Sequence, residues 1–225
     1  MKVVRALGID GARGATGIAV VIDVLRAFSV SAYAFAGGAR ECLLVPTVDE
    51  ARALAAATPG AILSAEVDTM PVAGIEISNS PTQIAAVDVR GHAVVQRTTA
   101  GAPVINAVER ADAIYATSLV VARATAQACL LRKPATVTLI ASGDYPEDHA
   151  CCDYIDDLLH GTKSRDLEHL LQPLFASERY RRLAEGDWPG FPKTDLELAL
   201  QADRFDFAMR ATREEGHVRL AKEPA

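Results

Sequence analysis

The chain has 225 residues, 23 Lys+Arg against 29 Asp+Glu for a formal net charge of −6, and 50% hydrophobic residues. That length suits one α/β domain with at most an appendage, and the apolar fraction excludes disorder as a description of the whole. An acidic chain without a Lys/Arg run does not read as a binder of nucleic acid, although a small anion could still be held by two or three arginines.

The amino-terminal stretch Met1–Gly17 carries one early Lys and no continuous apolar core, and no apolar run approaches the roughly 20 residues of a membrane span. From Gly17 to about Cys152 short apolar runs alternate with alanine-rich amphipathic stretches. This is the pattern of βαβ units and predicts an α/β fold with a largely parallel β-sheet flanked by helices. The predicted strands are Ile18–Asp23, Glu41–Val45, Ala61–Ala65, Ala93–Arg97, Ala113–Thr117 and Thr136–Ala141. The predicted helices are Ser29–Gly38, Val48–Ala57, Pro81–Val87, Val104–Arg110 and Leu119–Arg132. Thr47 with Glu50 forms a capping box, and Ser80-Pro81 sets a capping hydroxyl before proline at the first helical position. Glu147 to Leu159 reads as a further helix with acidic residues in its first turn and Gly161 as terminator. Beyond Gly161 charge rises, and Phe205–Met209 and Val218–Leu220 are the only strand-like pieces. Residues 161–225 are therefore expected as a mostly helical carboxy-terminal layer on a 17–160 core, the whole forming one domain. Cys42, Cys129, Cys151 and Cys152 form no CxxC, and the adjacent pair could bridge only under severe strain. The expectation is a reduced, cytoplasmic chain with no membrane partner.

In a parallel sheet, ligands bind beyond the carboxyl ends of the strands. The polar residues at those ends are Asp23 and Arg26, Glu66 and Asp68, Ser78-Asn79-Ser80, Arg97-Thr98-Thr99-Ala100-Gly101, Thr117-Ser118, and Ser142-Gly143-Asp144 ahead of Glu147-Asp148. Carboxylates able to hold a hard cation stand there with arginines, hydroxyls and backbone amides able to hold an anion. Together they suggest a metal-assisted phosphate-ester site. Each has a plainer reading: Asp23 as a turn cap, Arg26 and Arg97 as ion-pair partners, Ser80 as a helix cap, Glu147 and Asp148 as complements to a helix dipole.

Ile22-Asp23-Val24-Leu25-Arg26-Ala27, Ser78-Asn79-Ser80-Pro81, Arg97-Thr98-Thr99-Ala100-Gly101, Ser118-Leu119 with Ala122, and Glu147-Asp148 ahead of Cys151 and Cys152 resemble, in order and spacing, segments of the 2-phosphosulfolactate phosphatases. These are magnesium-dependent acid phosphatases of coenzyme M biosynthesis. The resemblance covers about the first 160 residues. It implies an α/β fold peculiar to that family, a homodimer, and hydrolysis of a small anionic phosphorylated substrate, 2-phosphosulfolactate, to sulfolactate and phosphate. It further implies Asp23, Arg26, Arg97 and Asp148 as catalytic residues and Asn79, Ser80, Thr98, Thr99, Gly101 and Ser118 as substrate contacts. Mg²⁺ would be held among Asp23, Glu66, Glu147 and Asp148. The chain departs from the family pattern around Glu66, at Ser78, and at Val121, where the family has an asparagine expected on the pocket rim.

In the resulting scheme Arg97, Thr98, Thr99 and the Gly101 turn stabilise the phosphoryl group, Arg26 holds a second anion, and the nucleophile is water or Asp23. Two alternatives stand beside it: a phosphatase of the same fold acting on another small phosphorylated carboxylic acid, and a non-catalytic anion-binding protein.

Overall fold

The computed structural model describes residues 1–161 and 165–224. Strand β1 (Lys2–Leu7) and helix α1 (Gly8–Arg13) lead into β2 (Thr16–Ile22), α2 (Ala27–Ala36), β3 (Glu41–Val45), α3 (Val48–Ala57), β4 (Ile62–Val67) and the two-residue β5 (Met70–Pro71). There follow α4 (Pro81–Ala85), β6 (Ala93–Arg97), α5 (Gly101–Asn106), β7 (Arg110–Thr117), a 3-10 turn at Leu119–Val121, α6 (Ala122–Leu131), β8 (Thr136–Ala141) and α7 (Pro146–His160). Four short helices, α8 (Leu167–Leu170), α9 (Gln172–Phe175), α10 (Glu178–Glu185) and α11 (Thr194–Ala199), precede the hairpin β9 (Phe207–Glu214) and β10 (His217–Pro224).

Three predicted strands match residue for residue, and the capping box at Thr47 and the left-handed Gly161 terminator are both present. Two helices begin earlier than predicted because side chains at the strand ends start them. Asp23 Oδ1 accepts from Ala27 N, and Thr98 Oγ1 accepts from Ala102 N. The second of these starts α5 at Gly101, so that Arg110, expected at a helix end, opens β7 instead.

All ten strands form one sheet, ordered β1-β8-β2-β7-β9-β10-β3-β6-β4-β5. The β1-β8-β2-β7 set is parallel, as is β3-β6-β4. Between the two sets lies the β9–β10 hairpin, antiparallel to β7 on one side and to β3 on the other. This corrects two expectations. The core begins at Lys2, with an edge strand whose half-exposed residues make no apolar run, and the carboxy-terminal stretch is a helical layer only as far as α11. Its last strands fill the middle of the sheet.

An odd number of antiparallel steps makes the two parallel sets run in opposite senses along the ladder. Adjacent strands also twist by about 20–25°, so the five steps from β2 to β6 accumulate roughly 100–125°. The two sets therefore cross at less than a right angle, and the carboxyl ends of β2 and β6 meet. A Cβ added at Gly101, just past β6, would lie 3.1 Å from Asp23 Oδ2, just past β2.

Strand alternation feeds a core on each face. Ala19 and Val21 point to one face with Phe28, Phe35, Ile105 and Met209, while Ile18, Val20 and Ile22 point to the other with Leu139, Cys151, Cys152, Ile155 and Leu174. All four cysteines are buried and free.

Because Met209 is fully buried in mid-sheet, Met209→Ala should cost about 2–4 kcal/mol of stability. Leu131→Ala, at a position 72% exposed, should cost less than about 0.5 kcal/mol. Urea midpoints of the two variants check this, and equal midpoints would refute a central hairpin.

Candidate active site

The meeting point of the two parallel sets holds a cavity of about 280 Å³. Of the residues expected from sequence, Asp23, Arg26, Glu66, Asn79, Thr98 and Thr99 line it.

Asp23 follows β2 in a turn whose Leu25–Arg26 peptide is cis. Its Oδ1 is taken by Ala27 N at 2.9 Å, the Ser142 hydroxyl is a further hydrogen-bonding neighbour of the carboxylate, and the side chain lines the cavity. Burial, reinforced by the neighbouring charges of Glu66 and Glu147 and opposed by the Ala27 N–H, lifts this carboxyl from 3.8 to about 6. Gly101 is required beside it, since a side chain there would press on Phe28, Ala27 and Asp23 at 3.0–3.1 Å.

Arg26 donates through Nη1 to Asp195 Oδ2 at 2.8 Å and to Gly190 O at 2.7 Å, and its guanidinium lies 4.0 Å over the Phe191 ring. Its Nη2 is buried without a partner. A buried guanidinium with an unused N–H in a cavity wall is a site for an oxyanion.

Asn79 has φ +54°, a left-handed conformation that asparagine tolerates. Its Oδ1 accepts from Gln96 Nε2 at 2.7 Å, and its amide nitrogen has no partner among the described residues. Glu66 Oε1 accepts from Thr99 N at 2.5 Å, and Oε2 accepts from Thr69 N at 2.6 Å and from Thr99 Oγ1 at 3.0 Å. Glu66 thus ties together the two loops that bound the cavity.

The other expected residues stand behind the wall. Arg97 donates to Pro46 O, to Glu66 O and to Thr99 Oγ1, and holds the loops in shape from outside the cavity. Ser80 caps α4 and donates to Asp195 Oδ1 at 2.6 Å. Asp148 accepts from Val24 N at 2.8 Å and Ser142 Oγ at 3.1 Å, bracing the turn after Asp23. Burial and the charge of Asp23 push its carboxyl well above the usual range. Glu147 accepts from Arg179 Nε at 3.3 Å, with Oε2 buried and unpartnered, and burial raises its pKa against the pull of Arg179. Ser118 is fully buried with an unpartnered Oγ, away from the cavity lining. Val121, expected near the pocket rim, is fully buried in the core.

The rest of the wall combines Asp68 and Ser142, already noted at strand ends, with residues that sequence reasoning passed over. Tyr145, Arg179 and Trp188 line the cavity along with Asp68, Thr69 and Ser142. Trp188 Nε1 donates to Thr69 Oγ1 at 2.7 Å, and the Arg179 guanidinium stacks 4.4 Å from the Tyr145 ring. Arg179 lies in Glu178-Arg179-Tyr180-Arg181-Arg182, which reads as a solvated helix face. The chain's single tryptophan, set beside Pro189-Gly190 in a polar stretch, was the signal available.

Among the described residues no group of three or more His, Cys, Asp or Glu side chains is arranged to hold a metal. The donors of Glu66 and Asp148 are spent on protein N–H and O–H groups. Asp23 and Asp68 both line the cavity, and the Asp68 carboxylate accepts no hydrogen bond from the described residues. Such a pair fits Mg²⁺, which takes one or two carboxylates and completes its shell with water and phosphate oxygen. A three-carboxylate site does not fit. No described helix is long and apolar enough to cross a membrane.

A family model described as 2-phosphosulpholactate phosphatase matches residues 8–214. A probable 2-phosphosulfolactate phosphatase of Bacillus subtilis is 31% identical over 206 residues, 89% of each chain. Proteins of the same description from Clostridium perfringens, strain SM101, and Carboxydothermus hydrogenoformans are 31% and 33% identical over 67% and 66% of this chain, covering 64% and 63% of their own lengths.

Asp23 holds its proton more tightly folded, near 6, than unfolded, near 3.8. The folded state therefore loses stability as pH rises through that window, and the full penalty stands above it. In EDTA, Asp23→Asn should be more stable than the parent by about 1–3 kcal/mol at pH 7.5 and equal to it near pH 3.5. Guanidinium titrations at both pH values test this, and a variant less stable at pH 7.5 would contradict the buried-carboxylate assignment.

Proposed function

This chain belongs to the 2-phosphosulfolactate phosphatase family, and on that footing we propose that it is a phosphoric monoester hydrolase that releases phosphate from 2-phosphosulfolactate with Mg²⁺ as cofactor. The observation that carries this reading is the convergence, on one small cavity, of the Asp23 carboxylate with Arg26, whose buried Nη2 has no partner among the described residues. A cavity of about 280 Å³ lies just under the usual 300–1,000 Å³ of ligand pockets and suits a compact acid.

In this reading Arg26 Nη2, the Asn79 amide and the Thr98-Thr99 turn receive the phosphoryl oxygens and stabilise the charge that builds on them. Arg26 is effective because Asp195 and Phe191 hold its guanidinium still, so little reorganisation is required during the reaction. The Asp23 carboxylate acts on phosphorus, either directly as nucleophile or by taking the proton of an attacking water. Mg²⁺, held by Asp23 and Asp68, would supply positive charge to the phosphate. Carboxylates lining the cavity would repel a ligand merely stored there, which counts against a passive anion-binding role.

Phosphate release from 2-phosphosulfolactate and p-nitrophenyl phosphate, with Mg²⁺ and with EDTA, tests the proposal. Release should stop in EDTA and return with Mg²⁺, and Asp23→Asn should lower kcat by about 10²–10⁴-fold. Full activity of Asp23→Asn, or release indifferent to EDTA, would overturn the assignment of that residue or of the metal.

A further inference from the structure

We propose that Arg179 is the specificity residue of this site and receives the substrate's sulfonate, an inference that rests on the phosphatase reading above. The two arginines in the cavity wall are held in different ways. Arg26 is fixed by bonds of 2.7 and 2.8 Å and stacked on Phe191, with one N–H left open. That geometry serves one oxyanion in one position. Arg179 enters from α10, in the carboxy-terminal segment, and its contacts lie at the far end of the hydrogen-bond range, with Nε 3.3 Å from Glu147 Oε1 and Nη2 3.4 Å from Leu25 O. Its Nη1 bonds to none of the described residues.

What holds the Arg179 guanidinium is stacking, at 4.4 Å from the Tyr145 ring centre and 5.8 Å from that of Trp188. Aromatic faces restrain the plane of the fork and exclude water, and they leave its edge available. Glu147, fully buried, supplies a counter-charge while keeping one oxygen unpartnered, so the ion pair does not use up the cation. Engaging a ligand through the Nη1–Nη2 edge therefore gives up only the 3.4 Å bond to Leu25 O and keeps the pair with Glu147.

A guanidinium edge matches a tetrahedral oxyanion through two parallel N–H donors. A sulfonate is larger and more weakly hydrated than a carboxylate, and it suits a donor framed by aromatic rings. The charges also divide sensibly: the phosphoryl group meets Arg26, and the second strong acid meets Arg179. Without Arg179 a substrate bearing both would bring its extra charge to a wall that already contains Asp23, Glu66 and Asp68.

The test compares kcat/KM for 2-phosphosulfolactate and for 2-phospholactate, which lacks the sulfonate. In Arg179→Gln the ratio of the first to the second should fall on the order of 30–100-fold, mostly through KM, and Arg179→Lys should recover only part of it because an ammonium cannot form the fork. Removing Arg179 leaves Glu147 buried without its partner, so the Arg179→Gln/Glu147→Gln double variant, with its thermal midpoint measured, should show the same loss of selectivity in a folded protein. An unchanged ratio in both variants overturns the proposal. If the parent protein hydrolyses no ester, the phosphatase reading falls, and protection by 3-sulfolactate against thermal unfolding decides the role of Arg179. A shift in the parent that Arg179→Gln abolishes supports it, whereas no shift, or the same shift in both, overturns it.

Discussion

The buried ion pair between Arg26 and Asp195 is the contact on which the site depends. Arg26 belongs to the turn after β2, and Asp195 to α11, 169 residues later. Both are shut away from water, with side-chain exposures of 2% and 0%. Breaking such a pair by removing one partner strands a charge in a medium that cannot solvate it and typically costs about 3–5 kcal/mol. Here the pair is also a junction. Asp195 accepts in addition from Ser80 Oγ and Thr82 N at the start of α4, and Gly190 O accepts from both Arg26 and Ser78. A single carboxylate thus joins the β2 turn, the loop before α4 and the carboxy-terminal segment, and it leaves Arg26 Nη2 without a partner among the described residues.

That junction follows from the sheet. Two parallel sets running in opposite senses along one ladder would carry their carboxyl ends apart in a flat sheet. The right-handed twist of a ten-stranded sheet brings them together, and the central hairpin supplies the separation over which the twist accumulates. Asp23 comes from one set and Glu66, Thr98 and Thr99 from the other, so the cavity is bounded by both. The short helices between α7 and β9 then close it with Arg179 and Trp188, which is why the same stretch of chain both completes the core and shapes the pocket.

Electrostatically the site is held away from its own optimum. Asp23, Asp148 and Glu147 are buried near one another with raised proton affinities, a cost the fold accepts. The compensation is local: backbone N–H groups and Ser142 on Asp148, Ala27 N on Asp23, Arg179 on Glu147. Of the three only Asp23 lines the cavity, with Asp148 and Glu147 behind it.

Much of this was legible in the amino-acid sequence because the responsible interactions are local. Apolar runs of four to six residues between alanine-rich stretches marked β3, β6 and β8 to the residue, and Thr47 and Ser80 announced their helices through hydrogen bonds made within one turn. Asp23, Arg26, Asn79, Thr98 and Thr99 stood out because strand ends are where polar residues reach a ligand. Other features had no local signature. β1 is an edge strand with half-exposed residues, and the place of β9–β10 in mid-sheet depends on pairing with the distant strands β7 and β3. Arg97 and Arg26 look alike as residues at the ends of buried strands, yet backbone carbonyls occupy one behind the wall while a distant carboxylate holds the other in the cavity lining. The sequence by itself determined most of the strands and helices of the core and the polar groups at their ends, since periodicity and capping act over a few residues. Only the tertiary structure decided which of those groups share a cavity, because that rests on sheet twist and on ion pairs closed across the whole chain.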